Sequence, residues 1–162
     1  MELELSETQS QIKESISKLL EKFDDQYWLQ RDETGEFPEE FCQAIADNGW
    51  MGIAMPKEYG GSGLGITEAA ILAQTITESG AGNAGFAAIV IGIFGLNPVV
   101  LFGNEEQKRN WLPPIIKRED VACFAVTEPN TGLDTTRLKT RAKWDGKQYI
   151  VSGEKIWTST AQ

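Results

Sequence analysis

Apolar residues recur every three or four positions up to about residue 118 and every second position after it. That change of period is the strongest constraint on the fold. The first spacing lines one side of a helix, and the second lines one face of a pleated strand. Because the two periods occupy separate stretches, the chain reads as α+β rather than as repeating βα units. We expect an all-α helical bundle over residues 1–118. Residues 119–162 should form the first antiparallel strands of a barrel-like β domain.

In the helical half, Ser6 with Gln9 three positions later is a capping-box start. Ile12, Ile16, Leu19, Leu20, Phe23 and Tyr27 follow on one stripe, which predicts a single long amphipathic helix. Phe37-Pro38-Glu39-Glu40 opens the next helix, with Phe41, Ala44 and Ile45 inward and Asn48-Gly49 as its stop. After a glycine-rich loop, Thr67 is expected to cap a further helix with Ile66 and Ile71 as a hydrophobic staple, and Gly80 to end it. Asn104 and Gln107 start the last helix, which Pro113-Pro114 should cut short.

The 19 residues from Ala84 to Phe102 carry no charge, long enough to cross a membrane. Gly85, Gly92, Gly95 and Asn97-Pro98 interrupt them and no basic cluster flanks them. They are read instead as a central helix packed on all sides.

Beyond 118, Val121 to Thr127 is strand-like, and Leu138, Thr140, Ala142 and Trp144 alternate with Lys139, Arg141 and Lys143. Asp145-Gly146 is a hairpin turn before Tyr149-Ile150-Val151, and Gly153-Glu154 turns again into a last strand, Ile156-Trp157-Thr158, with an open edge.

Charge and composition exclude several chemistries. The net charge is −9, with 14 acids and 5 bases in residues 1–60 but 4 acids and 6 bases in 121–162. Such a surface repels nucleic-acid phosphates and anionic lipid, so neither partner is expected. With no histidine, and with Cys42 and Cys123 far apart, neither a metal site nor a histidine-assisted nucleophile is expected. The acidic start and the two unpaired thiols read as a cytoplasmic protein.

The bend Thr127-Glu128-Pro129-Asn130-Thr131-Gly132 gathers hydroxyls, backbone N–H groups and a glycine at one spot. It can cradle the edge of a planar heterocycle or a phosphate, although the residues by themselves favour an ordinary loop between two strands. Trp157 reads by itself as a sheet-core aromatic.

The segment A-V-T-E-P-N-T-G-L-D closely resembles the flavin-loop signature of the acyl-CoA dehydrogenases. K-I-W-T-S-T resembles that family's second signature, K-x-W-I-T-N, and L-K-T-R-A lies at the family's interval between them. P-K-E-Y-G-G at 56–61 and G-N-E-E-Q-K-R at 103–109 resemble landmarks of its helical domain.

The resemblance implies a longer subunit with FAD held between its middle domain and a C-terminal helical domain absent from these residues. It implies that Phe124, Ala125, Val126 and Thr127 flank the flavin, and that Gly132 and Leu133 lie along its pyrophosphate and the thioester end of the substrate. Trp157, Thr158 and Ser159 would form the second wall, and helix 84–101 would line part of the acyl-chain channel. Where the family has G-S-D, this chain has Gly132-Leu133-Asp134. A side-chain hydrogen bond of about 1 kcal/mol, or up to about 3 to a charged phosphate, then has to come from backbone or water.

The implied reaction is α,β-dehydrogenation of an acyl-CoA to a trans-2-enoyl-CoA, with electrons passed to an electron-transferring flavoprotein by a homotetramer or dimer. The catalytic base belongs to the absent domain, so no residue here is assigned that role and the fragment alone is expected to be inactive. A flavin monooxygenase or nitroalkane oxidase on the same scaffold, and a non-catalytic acyl-CoA-binding module, are the alternatives.

Overall fold

The computed structural model describes residues 4–160, which fall into two compact units dividing at Ala122–Cys123. In the first unit α1 (Glu7–Leu20) starts at the capping box: the Gln9 N–H donates to Ser6 Oγ at 3.2 Å and the Ser6 N–H to Gln9 Oε1 at 3.0 Å. The single long helix expected from the apolar stripe is in fact two, because Asp24 caps α2 (Asp25–Thr34) by accepting the Tyr27 N–H at 3.0 Å. The break costs the stripe nothing, since Phe23 and Trp28 on either side of it are both buried.

Helix α3 (Glu39–Asp47) buries Phe41, Cys42, Ile45 and Ala46, and Gly49 ends it at φ 77°. Phe41 sits edge-on between Phe23 and Trp28, with ring centroids 5.4 and 5.0 Å away, and the Trp28 indole N–H donates to the Phe23 carbonyl. This aromatic group joins the faces of α1 and α4 (Ile66–Ile76) in the main core.

The start of α4 differs from the sequence expectation. Gly65, not Thr67, occupies the cap position, with its N–H donating to Glu68 Oε2 at 2.9 Å while Gln9 holds the other carboxylate oxygen. Ile66 is 82% exposed and forms no staple, though Ile71 is buried. With Glu68 satisfying the first amide, no hydroxyl at 67 is needed.

One turn of π-helix, Thr77–Ala81, links α4 to α5 (Gly82–Phe94), and Gly80 at φ 97° and Gly82 at φ 54° kink the chain there. A short helix α6 (Asn97–Phe102) follows, with Pro98 in its first turn. The stretch Ile66–Phe102 is by length and composition apolar enough to cross a membrane, but these kinks divide it into three rods.

The expectation that 84–102 packs on all sides is overturned. Only Gly85, Ile89 and Ile93 of α5 and no residue of α6 are buried, and Phe94, Leu101 and Phe102 are exposed. A uniformly apolar sequence hides which of its faces the rest of the chain covers.

Helix α7 (Glu105–Ile116) opens on the expected Asn104–Gln107 capping box but runs through Pro113 and Pro114. Burial of Leu112, Ile115 and Ile116 on both sides of the prolines holds the last turn against the lost backbone bonds. Leu112 and Ile116 join Met55 and Tyr59 in a second, smaller core, and the Tyr59 hydroxyl donates to the Glu105 carboxylate at 3.0 Å. Two of the sequence landmarks therefore meet in space.

The second unit has one antiparallel ribbon, β1 (Arg141–Trp144) with β2 (Tyr149–Ser152), in register Arg141 to Ser152 and Trp144 to Tyr149. Asp145 closes the hairpin by accepting the N–H groups of Lys147 and Gln148, each at 2.8 Å. Val121–Thr127 and Ile156–Thr158 are not strands. They are linked by the Ile156–Thr127 backbone bond and by one isolated bridge, Phe124 to Ser159 just past the second stretch, and Trp157 at φ 56° departs from extended geometry. All eight ribbon residues are exposed, so the alternation seen in the sequence has no covered face among the described residues.

Candidate functional site

Two crossed backbone bonds, Glu128 N–H to the Thr131 carbonyl at 2.9 Å and Thr131 N–H to the Glu128 carbonyl at 3.0 Å, reverse the chain around Pro129-Asn130. Proline supplies the first turn φ without spending an N–H. The reversal points the Glu128 side chain inward, where it is 6% exposed. Its carboxylate accepts the N–H of Lys139 at 2.7 Å, the N–H of Thr140 at 2.8 Å, and the Lys155 ammonium at 3.1 Å.

The Thr140 hydroxyl beside it, the two amides and Lys155 hold the Glu128 carboxyl far below its ordinary value, at about 2. By geometry that hydroxyl makes no hydrogen bond, so the amides carry most of the effect. Gly153 passes so close to Thr140 that a Cβ there would lie 2.2 Å from its Oγ1. The carboxylate thus fastens the bend to the start of β1.

Lys155 fastens it to the segment that follows β2. Its Nζ donates to the Val126 carbonyl at 2.8 Å as well as to Glu128. One residue later the Ile156 N–H donates to the Thr127 carbonyl at 2.9 Å, and Phe124 bridges Ser159 in the antiparallel sense.

Residues 124–127 and 157–159 are therefore neighbours, although about 30 positions separate them in sequence. Phe124, Ala125, Trp157 and Ser159 are exposed, while Val126, Thr127 and Thr158 are half-buried. Gly132 and Leu133 stand just past the reversal, with Leu133 fully exposed. Trp157, 85% exposed and in the left-handed region of backbone space, is no sheet-core aromatic here.

The donor inventory fits the edge of a nitrogen heterocycle and phosphate oxygens. Among the described residues the hydroxyls of Thr127, Thr158 and Ser159 and the amides of Gly132 and Leu133 have no hydrogen-bond partner. A Cβ on Gly132 would meet nothing within 4 Å, so the space beside it is open. The inward-facing carbonyls of Val126 and Thr127 are already occupied, which leaves a surface rich in donors. Sequence reasoning did not single out Lys155: a lysine gives no local signal of a contact with a residue 29 positions earlier.

Residues 6–119 match the family described as acyl-CoA dehydrogenase, N-terminal domain, and residues 123–162 match acyl-CoA dehydrogenase, middle domain. The chain is similar to a probable acyl-CoA dehydrogenase of Bacillus subtilis (strain 168), 34% identical over 161 residues, which cover 99% of this chain and 42% of that protein. Among solved structures it resembles a chain from work on the electron transferring flavoprotein of Acidaminococcus fermentans and flavin-based electron bifurcation. That likeness has a TM-score of 0.85 at 30% identity, over 98% of this chain and 41% of the other. It also resembles PigA with FAD and proline, with a TM-score of 0.87 at 25% identity, over 98% of this chain and 42% of the other. The chain thus spans about two fifths of the length of the relatives it matches.

Proposed function

The chain belongs to the acyl-CoA dehydrogenase family, and we propose from that membership that it forms the helical part and two flavin-facing segments of an FAD-dependent acyl-CoA dehydrogenase. The reaction is α,β-dehydrogenation of an acyl-CoA thioester to the trans-2-enoyl-CoA. The observation that carries this reading is the antiparallel placement of Phe124–Thr127 beside Trp157–Ser159, with the hydroxyls of Thr127, Thr158 and Ser159 uncommitted among the described residues.

In this reading the Thr127 hydroxyl and its neighbours hold the edge of the isoalloxazine, and Ser159 offers a hydroxyl from the second wall. Gly132 lets the backbone approach the pyrophosphate, where its amide and that of Leu133 donate. Leu133 presents an apolar side chain toward the thioester end of the substrate. FAD, when bound, supplies the hydride acceptor. The residues present hold and orient, and the proton-abstracting carboxylate is assigned to the part of the subunit outside these residues. An electron-transferring flavoprotein as acceptor is in keeping with the Acidaminococcus fermentans likeness.

The test uses the complete protein that carries this chain. It should purify yellow or become so with FAD, and anaerobic addition of straight or branched acyl-CoA thioesters should bleach it. A colourless protein that takes up no FAD would refute the proposal. The likeness to PigA with FAD and proline supports a second reading in which the substrate is not a CoA thioester, such as a flavin monooxygenase or nitroalkane oxidase on this scaffold. Oxygen uptake without any dependence on CoA would select it.

A further inference from the structure

Val126 and Thr127 offer consecutive carbonyls to residues 155 and 156, one through the Lys155 ammonium and the other through the Ile156 amide. The second bond is an ordinary backbone contact. The first is made by a side chain only 23% exposed, which also reaches the buried Glu128 carboxylate. Glu128 is in turn anchored to the amides of Lys139 and Thr140. One ammonium therefore ties together three stretches of chain: the bend, the start of β1 and the segment that carries Trp157.

We infer that Lys155 is a positioning residue that, through the Val126 carbonyl and the Glu128 carboxylate, sets the spacing between the two segments proposed to face the flavin. The inference rests on the flavin-binding reading above.

The chemistry asks for a long cationic donor at this position. Both acceptors lie on one side of the bend, 2.8 and 3.1 Å from Nζ, and an ammonium can donate to both at once. A neutral, isosteric side chain leaves the Val126 carbonyl without its donor. It also leaves the carboxylate without a counter-charge, because Lys155 is the only cation paired with it among the described residues. The bend and the 155–159 segment then stay joined through backbone contacts such as the Thr127–Ile156 bond and the Phe124–Ser159 bridge, without the side-chain tie that fixes their spacing. Trp157, two residues from Lys155 and at positive φ, loses the anchor that fixes its direction.

The experiment compares the complete protein with its Lys155→Met and Lys155→Arg variants, by FAD titration and by the visible circular dichroism of bound flavin. Thermal melts of the apo forms establish that each is folded. We expect Lys155→Met to weaken FAD by at least about ten-fold and to alter the visible dichroism, and Lys155→Arg to stay within about three-fold of the parent with an unchanged spectrum. If Lys155→Met does not fold, Lys155→Gln, which can still donate to one acceptor, should show an intermediate loss. The inference is overturned if a folded Lys155→Met or Lys155→Gln binds FAD as the parent does with the same dichroism, or if Lys155→Arg is as impaired as Lys155→Met. A parent that binds no FAD refutes the flavin reading itself, a separate outcome.

Discussion

Replacing Phe41 by alanine gives the most direct measure of what holds the helical unit together. The side chain is 0% exposed and makes edge-on contacts with both Phe23 and Trp28. Truncating a buried phenylalanine costs about 3–5 kcal/mol in lost transfer energy and cavity formation. Two edge-to-face contacts, at about 0.5–1.5 kcal/mol each, place this site in the upper part of that range. Phe41→Leu refills most of the volume but loses both ring contacts, so about 1–2 kcal/mol is expected. The assay is urea unfolding followed by far-ultraviolet circular dichroism, which the helical unit dominates. With an m-value of about 2 kcal/mol per molar, Phe41→Ala should lower the midpoint by roughly 2 M. Combining Phe23→Leu with Phe41→Leu should show coupling of about 0.5–1.5 kcal/mol. A loss below about 1 kcal/mol for the alanine variant, or additive double mutants, would refute the idea that this aromatic group is the centre of the core.

Two further outcomes follow from the titratable groups. The Glu128 carboxyl is pushed from 4.5 in the ordinary case down to about 2, so the folded second unit binds its proton less readily than the unfolded chain does. Its contribution is therefore complete above about pH 4.5 and fades as pH falls toward 2. The near-ultraviolet signal of the Trp144–Tyr149 pair should report this loss, and Glu128→Gln should lack that segment of the pH profile; an identical profile would contradict it. Burial pushes the Cys42 thiol up to about 11, whereas Cys123 is exposed. A thiol reagent at mildly alkaline pH should modify Cys123 promptly and Cys42 only after denaturant is added, and rapid reaction of both would show that α3 is more open than described.

The termini of elements were readable where a side chain acts within its own helical turn. Ser6 with Gln9, Asn104 with Gln107 and the stop at Asn48-Gly49 all operate over three or four residues and are found as expected. What the local sequence does not reveal depends on partners far along the chain. Glu68 is shared with Gln9, 59 residues away, and this moves the start of α4 to Gly65. The prolines of α7 are tolerated because Leu112, Ile115 and Ile116 find a core that no local rule announces. The bend at 127–132 was visible as a cluster of turn residues, but the fastening of Glu128 by Lys155 was not. Period-two alternation after 138 locates the ribbon but leaves its burial open, because alternation reports two faces without reporting what covers either.

The hydroxyl of Tyr59 and the carboxylate of Glu105 come from positions 46 residues apart, and the small core beneath them exists only once both have arrived. Closing that segment costs about as much entropy as bringing α1 onto α4, but here it is offset by four buried core residues, against nineteen in the main core, among the described residues. That corner should then assemble late and open early, as a separate cooperative layer over the main helices. Amide hydrogens of Leu112 and Ile116 should exchange sooner than those of Ile16 and Leu72, and equal protection would mean that the whole helical unit opens as one body.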